Sequence, residues 1–275
     1  MFRDAGPRST PDTACQVPRG LGRAHLLWYS DVVKPPLHEH VALVTGAGRG
    51  IGRAIALRLA QSGCRVAALA RTQSELDDTV RAADLHGQSA PVLAVPADVT
   101  HDGDLETAVR LIMERLGRVT ILVNNAGFAP PRSSLLKTSL ADWDRTLATC
   151  LRAPMVLTRL VLPDMLAHGR GAIVNIASIA GKKGRAGEAA YAAAKFGLLG
   201  FTQSLFAEVR DHGIKVTAIC PGVVDTDLVP ANRRVDRAKF LQPSDIAEAV
   251  CDVLASPLRA CPTEIILEPQ HDPEA

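Results

Sequence analysis

The chain has 275 residues, of which 47% are hydrophobic and 4% aromatic, and its formal net charge is +2. That length and apolar content suffice for one large α/β core or two small domains, and rule out a wholly disordered chain. The near-neutral balance and the scarcity of aromatic rings argue against a nucleic-acid binder, and no apolar run approaches the ~18 residues of a membrane span.

Residues 1–38 stand apart. They hold five of the 18 prolines, five basic and three acidic residues, and no sustained apolar period. The apolar stretch of ~7–15 residues that a secretory signal requires is missing. The segment reads as a disordered or loosely packed extension, with organellar import as the alternative to a plain cytoplasmic location. The whole excess charge of +2 sits in it. The six cysteines (Cys15, Cys64, Cys150, Cys220, Cys251 and Cys261) form no C-x-x-C pair and no compact group with histidine. No metal site is therefore expected, and reduced, buried or incidental thiols are the simplest reading.

From residue 41 strands and helices alternate. The apolar run 41–44 leads into a glycine-rich turn, after which Ile51, Ile55 and Leu59 recur on one helical face, with Gly63 as the stop. A strand is predicted at 65–70, and a helix at 74–85 with Ser74 as its cap. Strand 92–95, helix 104–116 and strand 119–123 follow. One long helix is predicted over 140–166, then a strand at 172–176, a second long helix at 189–212 closed by Gly213, and a strand at 216–219. Helix 244–254 and strand 264–267 complete the series. Strands apolar on both faces and separated by helices imply a parallel sheet covered on both sides.

The first turn reads Thr45-Gly46-Ala47-Gly48-Arg49-Gly50-Ile51-Gly52. Strand, glycine turn and helix in that order form a phosphate cradle: glycine permits tight turning and close backbone approach, and the helix start offers free N–H groups. A glycine cluster also serves ordinary turns, so the context carries the weight. The T-G-x-x-x-G-x-G spacing resembles the short-chain dehydrogenase/reductase family, in its shorter single-domain branch. The resemblance covers 41–269 and implies one domain over 39–269 with a tail at 270–275. Its fold would be a doubly wound Rossmann α/β fold with about seven parallel strands.

The resemblance assigns further positions. Gly46, Arg49, Gly50, Ile51 and Gly52 would face the dinucleotide pyrophosphate. Ala70 stands where the family's NAD users carry an acid, Arg71 follows it, and Arg49 lies in the turn. Two guanidinium groups and no carboxylate suit a 2′-phosphate, so NADP(H) is expected over NAD(H), unless both arginines are simply solvated. Asp98-Val99 resembles the pair that contacts adenine. Asn125, Ala126 and Gly127 belong to the N-N-A-G motif beside the ribose. Pro221, Gly222, Val224 and Thr226 resemble the segment that holds the nicotinamide carboxamide.

Tyr191 and Lys195 are four apart and share a helix face, and Ser178 lies thirteen residues upstream. The three match the family's active-site trio. Tyrosine protonates an alkoxide but titrates near 10, and a nearby ammonium lowers that value. Ser178 would donate to the substrate oxygen, and Lys195 would also reach the nicotinamide ribose. The implied activity is interconversion of a carbonyl and a secondary alcohol. The implied substrate is a small ketone or alcohol, a 3-oxoacyl thioester being the less favoured choice. Two basic groups, Lys182/Lys183/Arg185 and Arg233/Arg234/Arg237/Lys239, either attract an anionic substrate or are solvated loops. The long helices 140–166 and 189–212 would pair in a homodimer or homotetramer.

One position departs from the pattern. The family usually has an asparagine in the long helix before the Ser178 strand, where it holds a kink and a water that links the lysine to solvent. Here Cys150 occupies that place, and no asparagine occurs over 126–174. A thiol is a weaker hydrogen-bonding group. A weakened proton relay is expected, with two alternatives: a redox-sensitive thiol, or a degenerate member that binds NADP(H) with little turnover.

Overall fold

The computed structural model describes residues 37–85, 90–229 and 235–272. Apart from Leu37 and His38, the expected extension therefore lies outside the described residues. Leu37 is 8% exposed, and its N–H donates to Ser62 O.

Seven parallel strands form one sheet in the order β3-β2-β1-β4-β5-β6-β7. They are β1 (Val41–Thr45), β2 (Arg65–Ala70), β3 (Val92–Pro96), β4 (Ile121–Asn124), β5 (Gly171–Ile176), β6 (Ile214–Pro221) and β7 (Glu264–Leu267). The helices are α1 (Gly50–Gln61), α2 (Gln73–Leu85), α3 (Asp102–Leu116), α4 (Leu140–Leu147), α5 (Ala153–Ala167), α6 (Ala189–Val209) and α7 (Pro243–Ala255). Successive strand residues point to opposite faces, so each strand feeds two cores. Ala42 and Val44 pack with Ile55 and Leu59 of α1 and Val250 of α7. Val41 and Leu43 pack with Ile112 of α3, Leu157 of α5 and Leu205 of α6. This is the doubly wound Rossmann arrangement expected.

Strand order reverses between β1 and β4, and in such sheets ligand sites gather beyond the C-terminal strand ends at that crevice. A network of buried polar side chains supports it. Asn124 Nδ2 donates to Asn175 Oδ1 (2.8 Å), and Asn175 Nδ2 donates to Thr202 Oγ1 (2.8 Å). It ties β4, β5 and α6 together behind the site.

Three local expectations are corrected. The long helix over 140–166 is two helices joined by a π turn at Ala148–Arg152. Ser74 lies inside α2, which starts at Gln73, and Thr72 O receives the N–H of Leu76. The helix over 189–212 ends at Val209 and tightens into a 3₁₀ turn before Gly213, which is left-handed at φ +72°.

Candidate active site

The glycine turn is anchored from β4. Thr45 is 2% exposed, and its Oγ1 accepts from Asn125 N (2.9 Å) and Ala126 N (3.0 Å). Asn125 Nδ2 returns a bond to Thr45 O at 2.9 Å. A buried hydroxyl at the end of an apolar strand needs such partners, and that was the available signal for Thr45. Arg53, also absent from the sequence-based site, fastens the turn from the helix side: its Nε donates to Gly48 O (2.8 Å) and Thr79 Oγ1 (3.1 Å).

The turn fits a phosphate group. Gly46 and Gly50 hold φ +65° and +53°. The first turn of α1 carries no acid, and the Arg49 side chain caps none of its N–H groups. A Cβ on Gly46 would lie 3.0 Å from Ala126 Cα. Thr226 also arrives here, since a Cβ on Gly50 would lie 3.3 Å from its Cγ2. Gly222 N donates to Leu267 O at 2.7 Å, which fixes the exit from β6 at Pro221. Val224 is buried in a bridge to Leu241.

The end of β2 carries no acid, as expected, but carboxylates from other elements reach the two arginines. Glu75 Oε1 lies 3.6 Å from Arg49 Nη1. Asp227 Oδ2 lies 3.7 Å from the same nitrogen. Arg71 Nη1 stands 4.0 Å from Asp98 Oδ2. Burial pushes the Asp98 carboxyl up, but the Thr100 N–H and hydroxyl and the Arg71 guanidinium more than offset it. The net position is below the usual carboxylate range. Val99 is buried next to it.

At β5, Ser178 is extended (φ −177°), and its Oγ accepts from Ala180 N as the 3₁₀ turn Ile179–Gly181 begins. Gly181 lets this turn press on α6, for a Cβ there would lie 2.8 Å from Lys195 O. Tyr191 and Lys195 share the facing side of α6. Lys195 is 3% exposed, donates to Ile176 O at 2.7 Å, and places Nζ 5.6 Å from the Tyr191 ring centroid. The Ser178 hydroxyl stands near enough to the Tyr191 phenol to favour its ionised form. The trio is thus brought together at the C-terminal edge of the sheet, on the same edge as the glycine turn.

Burial raises the Tyr191 phenol above its ordinary value, the Lys195 ammonium pulls it down, and the nearby Cys150 thiol pushes it up. The Ser178 hydroxyl pulls it down again, and the net shift is upward. The contribution expected of Lys195 has the predicted sign, but desolvation outweighs it.

Cys150 sits in the π turn and is 1% exposed. Its Sγ donates to Phe128 O and accepts from Phe128 N, both at 3.3 Å. Phe128 directly follows Asn125-Ala126-Gly127, so the thiol ties the helix kink to the loop after β4. Three residues of the two basic groups have partners of their own. Lys182 pairs with Glu264 at 2.7 Å. Arg237 binds Asp225 and the carbonyl of Thr226 (3.1 Å), and Lys239 donates to Asp272 O. Arg233 and Arg234 lie outside the described residues. Among the described residues, no helix is long and apolar enough to cross a membrane.

Known proteins resemble this chain over most of its length. The model of the short chain dehydrogenase family matches residues 40–236. A 3-oxoacyl-[acyl-carrier-protein] reductase of Synechocystis sp. is 34% identical over 230 residues, covering 82% of this chain and 92% of the relative. The 3-oxoacyl-[acyl-carrier-protein] reductase FabG of Vibrio cholerae is 36% identical over 230 residues, covering 80% and 91%. A solved metagenomic short-chain oxidoreductase in complex with NADP superposes with a TM-score of 0.75 at 33% identity, covering 86% of this chain and 100% of that one.

Proposed function

The chain belongs to the short-chain dehydrogenase/reductase family of oxidoreductases, and from that premise we propose that it interconverts a carbonyl and a secondary alcohol with NADP(H). The observation that carries the reading is the convergence of Ser178, Tyr191 and Lys195 on the edge that also bears the glycine turn. The NADP complex of the solved relative supports the choice of cofactor.

Gly46, Arg49, Gly50, Ile51 and Gly52 would hold the pyrophosphate, with Arg49 and Arg71 directed to a 2′-phosphate. Asp98 and Val99 would serve the adenine, and Asn125, Ala126 and Gly127 the ribose. Tyr191 and Lys195 would hold the nicotinamide ribose, and Pro221, Gly222, Val224 and Thr226 its carboxamide. The bound dinucleotide supplies a hydride in reduction and accepts it in oxidation. Ser178 donates to the substrate oxygen as negative charge develops there. Tyr191 gives its phenolic proton to that oxygen in reduction and takes it back in oxidation. Lys195 stabilises the resulting phenolate.

The raised phenol sets the sign of the pH dependence. Reduction needs the protonated phenol, so kcat/KM for the carbonyl should stay level through neutrality and fall in alkaline solution. Oxidation needs the phenolate, so its rate should climb with pH across the same range. Paired pH profiles check this, and a reduction rate that rises with pH would contradict it.

Cys150 weakens the proton relay in this reading, because a thiol, here already engaged with Phe128 N and O at 3.3 Å, holds the relay water less well than an amide would. Cys150→Asn should raise kcat and shift its pH profile while hydride transfer stays intact. Identical kcat and pH profile in the variant and the parent would sink this point. The same substitution bears on the rival reading of a binding protein with little turnover, which Cys150 alone favours.

The substrate is taken to be a small ketone or alcohol. The names of two relatives give the second choice, a 3-oxoacyl thioester, a specific footing. NADPH and NADH consumption with ketones, aldehydes and 3-oxoacyl thioesters tests both. Self-association as a homodimer or homotetramer belongs to the same reading. Met155 and Phe196, 45% and 47% exposed, lie on the helices that would pair.

A further inference from the structure

The pocket predicted to attract a 2′-phosphate contains an acid that does not come from β2. Glu75 stands in the first turn of α2, five residues beyond the end of β2. Its side chain is 32% exposed and folds back over the glycine turn. A Cβ on Gly48 would lie 2.9 Å from Glu75 Oε2, 2.9 Å from Glu75 Cβ and 3.5 Å from Ala70 Cβ. The carboxylate, the middle of the turn and the end of β2 thus meet in one small space. Its other oxygen, Oε1, holds Arg49 at 3.6 Å. The backbone on either side is fixed, since Arg53 donates to both Gly48 O and Glu75 O.

We propose that Glu75 is a cofactor-specificity residue, which competes with a 2′-phosphate for Arg49 and offers an acceptor to the 2′-hydroxyl of NAD(H). The proposal rests on the dinucleotide reading above and refines it. Removing the acid from the end of β2 leaves Ala70 without a charge, but α2 returns a carboxylate to the same patch. A phosphate dianion that approaches Arg49 must either displace Glu75 or lie beside a like charge, and both weaken its binding. A ribose hydroxyl meets no such repulsion and can donate to the carboxylate. The preference for NADP(H) is therefore smaller than Arg49 and Arg71 alone imply, and NADH remains a usable cofactor. Arg49 is 64% exposed, so solvent screening keeps the effect moderate.

The test is equilibrium binding of NADPH, NADH and the fragments 2′,5′-ADP and 5′-AMP to the full chain, in the parent and in Glu75→Gln. The variant should bind NADPH and 2′,5′-ADP about three- to tenfold more tightly, and should bind NADH and 5′-AMP, which both carry the free 2′-hydroxyl, more weakly. Glu75→Arg should move the NADPH/NADH ratio further in the same direction, and thermal melting confirms that both variants are folded. An unchanged ratio in both folded variants, with both dinucleotides still bound, overturns the role of Glu75 and leaves the dinucleotide reading intact. If the parent binds neither dinucleotide, the reading itself fails and this inference falls with it.

Discussion

Tyr191→Phe should lose at most the one phenol contact to the nicotinamide ribose, so that NADPH binding stays within about tenfold of the parent, and yet lose kcat/KM for carbonyl reduction by about 10²–10⁴-fold, the usual worth of a positioned general acid. The substitution removes one oxygen and leaves the ring on α6. Lys195 keeps its bond to Ile176 O and its burial, so the positive charge beside the site persists. Ser178 loses its partnership with the phenol but keeps its bond from Ala180 N. The loss of one hydrogen bond costs about 0.5–1.5 kcal/mol of stability, far less than the catalytic loss. Steady-state kinetics, a binding titration and a melting curve on the same sample separate the effects. A variant that lost NADPH binding to the same degree as turnover would show that Tyr191 acts through the cofactor site and not as the acid.

Gly52→Ala should damage both folding and dinucleotide binding, although it adds a single methyl group. An added Cβ would lie 2.2 Å from Gly46 O, 2.6 Å from Gly46 C and 2.5 Å from Asn125 Nδ2. Two of these are backbone atoms that cannot rotate away, so α1 must shift against the turn that precedes it. The shift also strains the Asn125 bond to Thr45 O, which anchors β4 to β1. Overpacking of this kind costs about 1–3 kcal/mol and occasionally more. Displacing the start of α1 removes its N–H groups from the phosphate position, so NADPH affinity should fall by about tenfold or more. Gly103→Ala is the natural control. Gly103 lies in the first turn of α3, where an added Cβ meets no side chain or other element within 4 Å, and alanine there should be neutral or stabilise by a few tenths of a kcal/mol, about half or less of the helix-interior gain. Denaturant unfolding of the two variants checks both signs. A Gly52→Ala protein as stable as the parent, with unchanged NADPH affinity, would contradict the close approach of α1 to the turn.

The parts of the site legible in the sequence are those held by local rules. Glycine spacing after an apolar run specified the turn, and four-residue spacing put Tyr191 and Lys195 on one face of α6. Strand and helix alternation was equally readable, because each strand is apolar on both faces. The π turn at Ala148–Arg152 was not legible in the apolar pattern of 140–166, which one extra residue leaves almost unbroken, although the family resemblance placed a kink at Cys150. Its consequence, the double contact of Cys150 with Phe128, depends on where the loop after β4 passes. The cap of α2 was misplaced by two residues because Ser74 satisfies the capping rule in composition but lies inside the first turn. Glu75 was missed for a related reason. The charge expected at the 2′ position was sought at the end of β2, whereas the carboxylate reaches that space through tertiary packing of α2 on Gly48. The basic groups were readable as charges, but the ion pair of Lys182 with Glu264 joins segments 82 residues apart, and that of Arg237 with Asp225 depends on how a loop folds back over 12 residues.

The most direct test of the account is NADPH consumption by the parent and Tyr191→Phe, side by side, over a panel of ketones, aldehydes and 3-oxoacyl thioesters, with product identified for every substrate consumed. The account predicts that the parent reduces at least one carbonyl to its alcohol and that Tyr191→Phe binds NADPH without appreciable reduction. Carbonyl reduction that survives Tyr191→Phe would contradict the assigned acid, and NADPH bound by the parent with no carbonyl reduced would contradict the proposed activity.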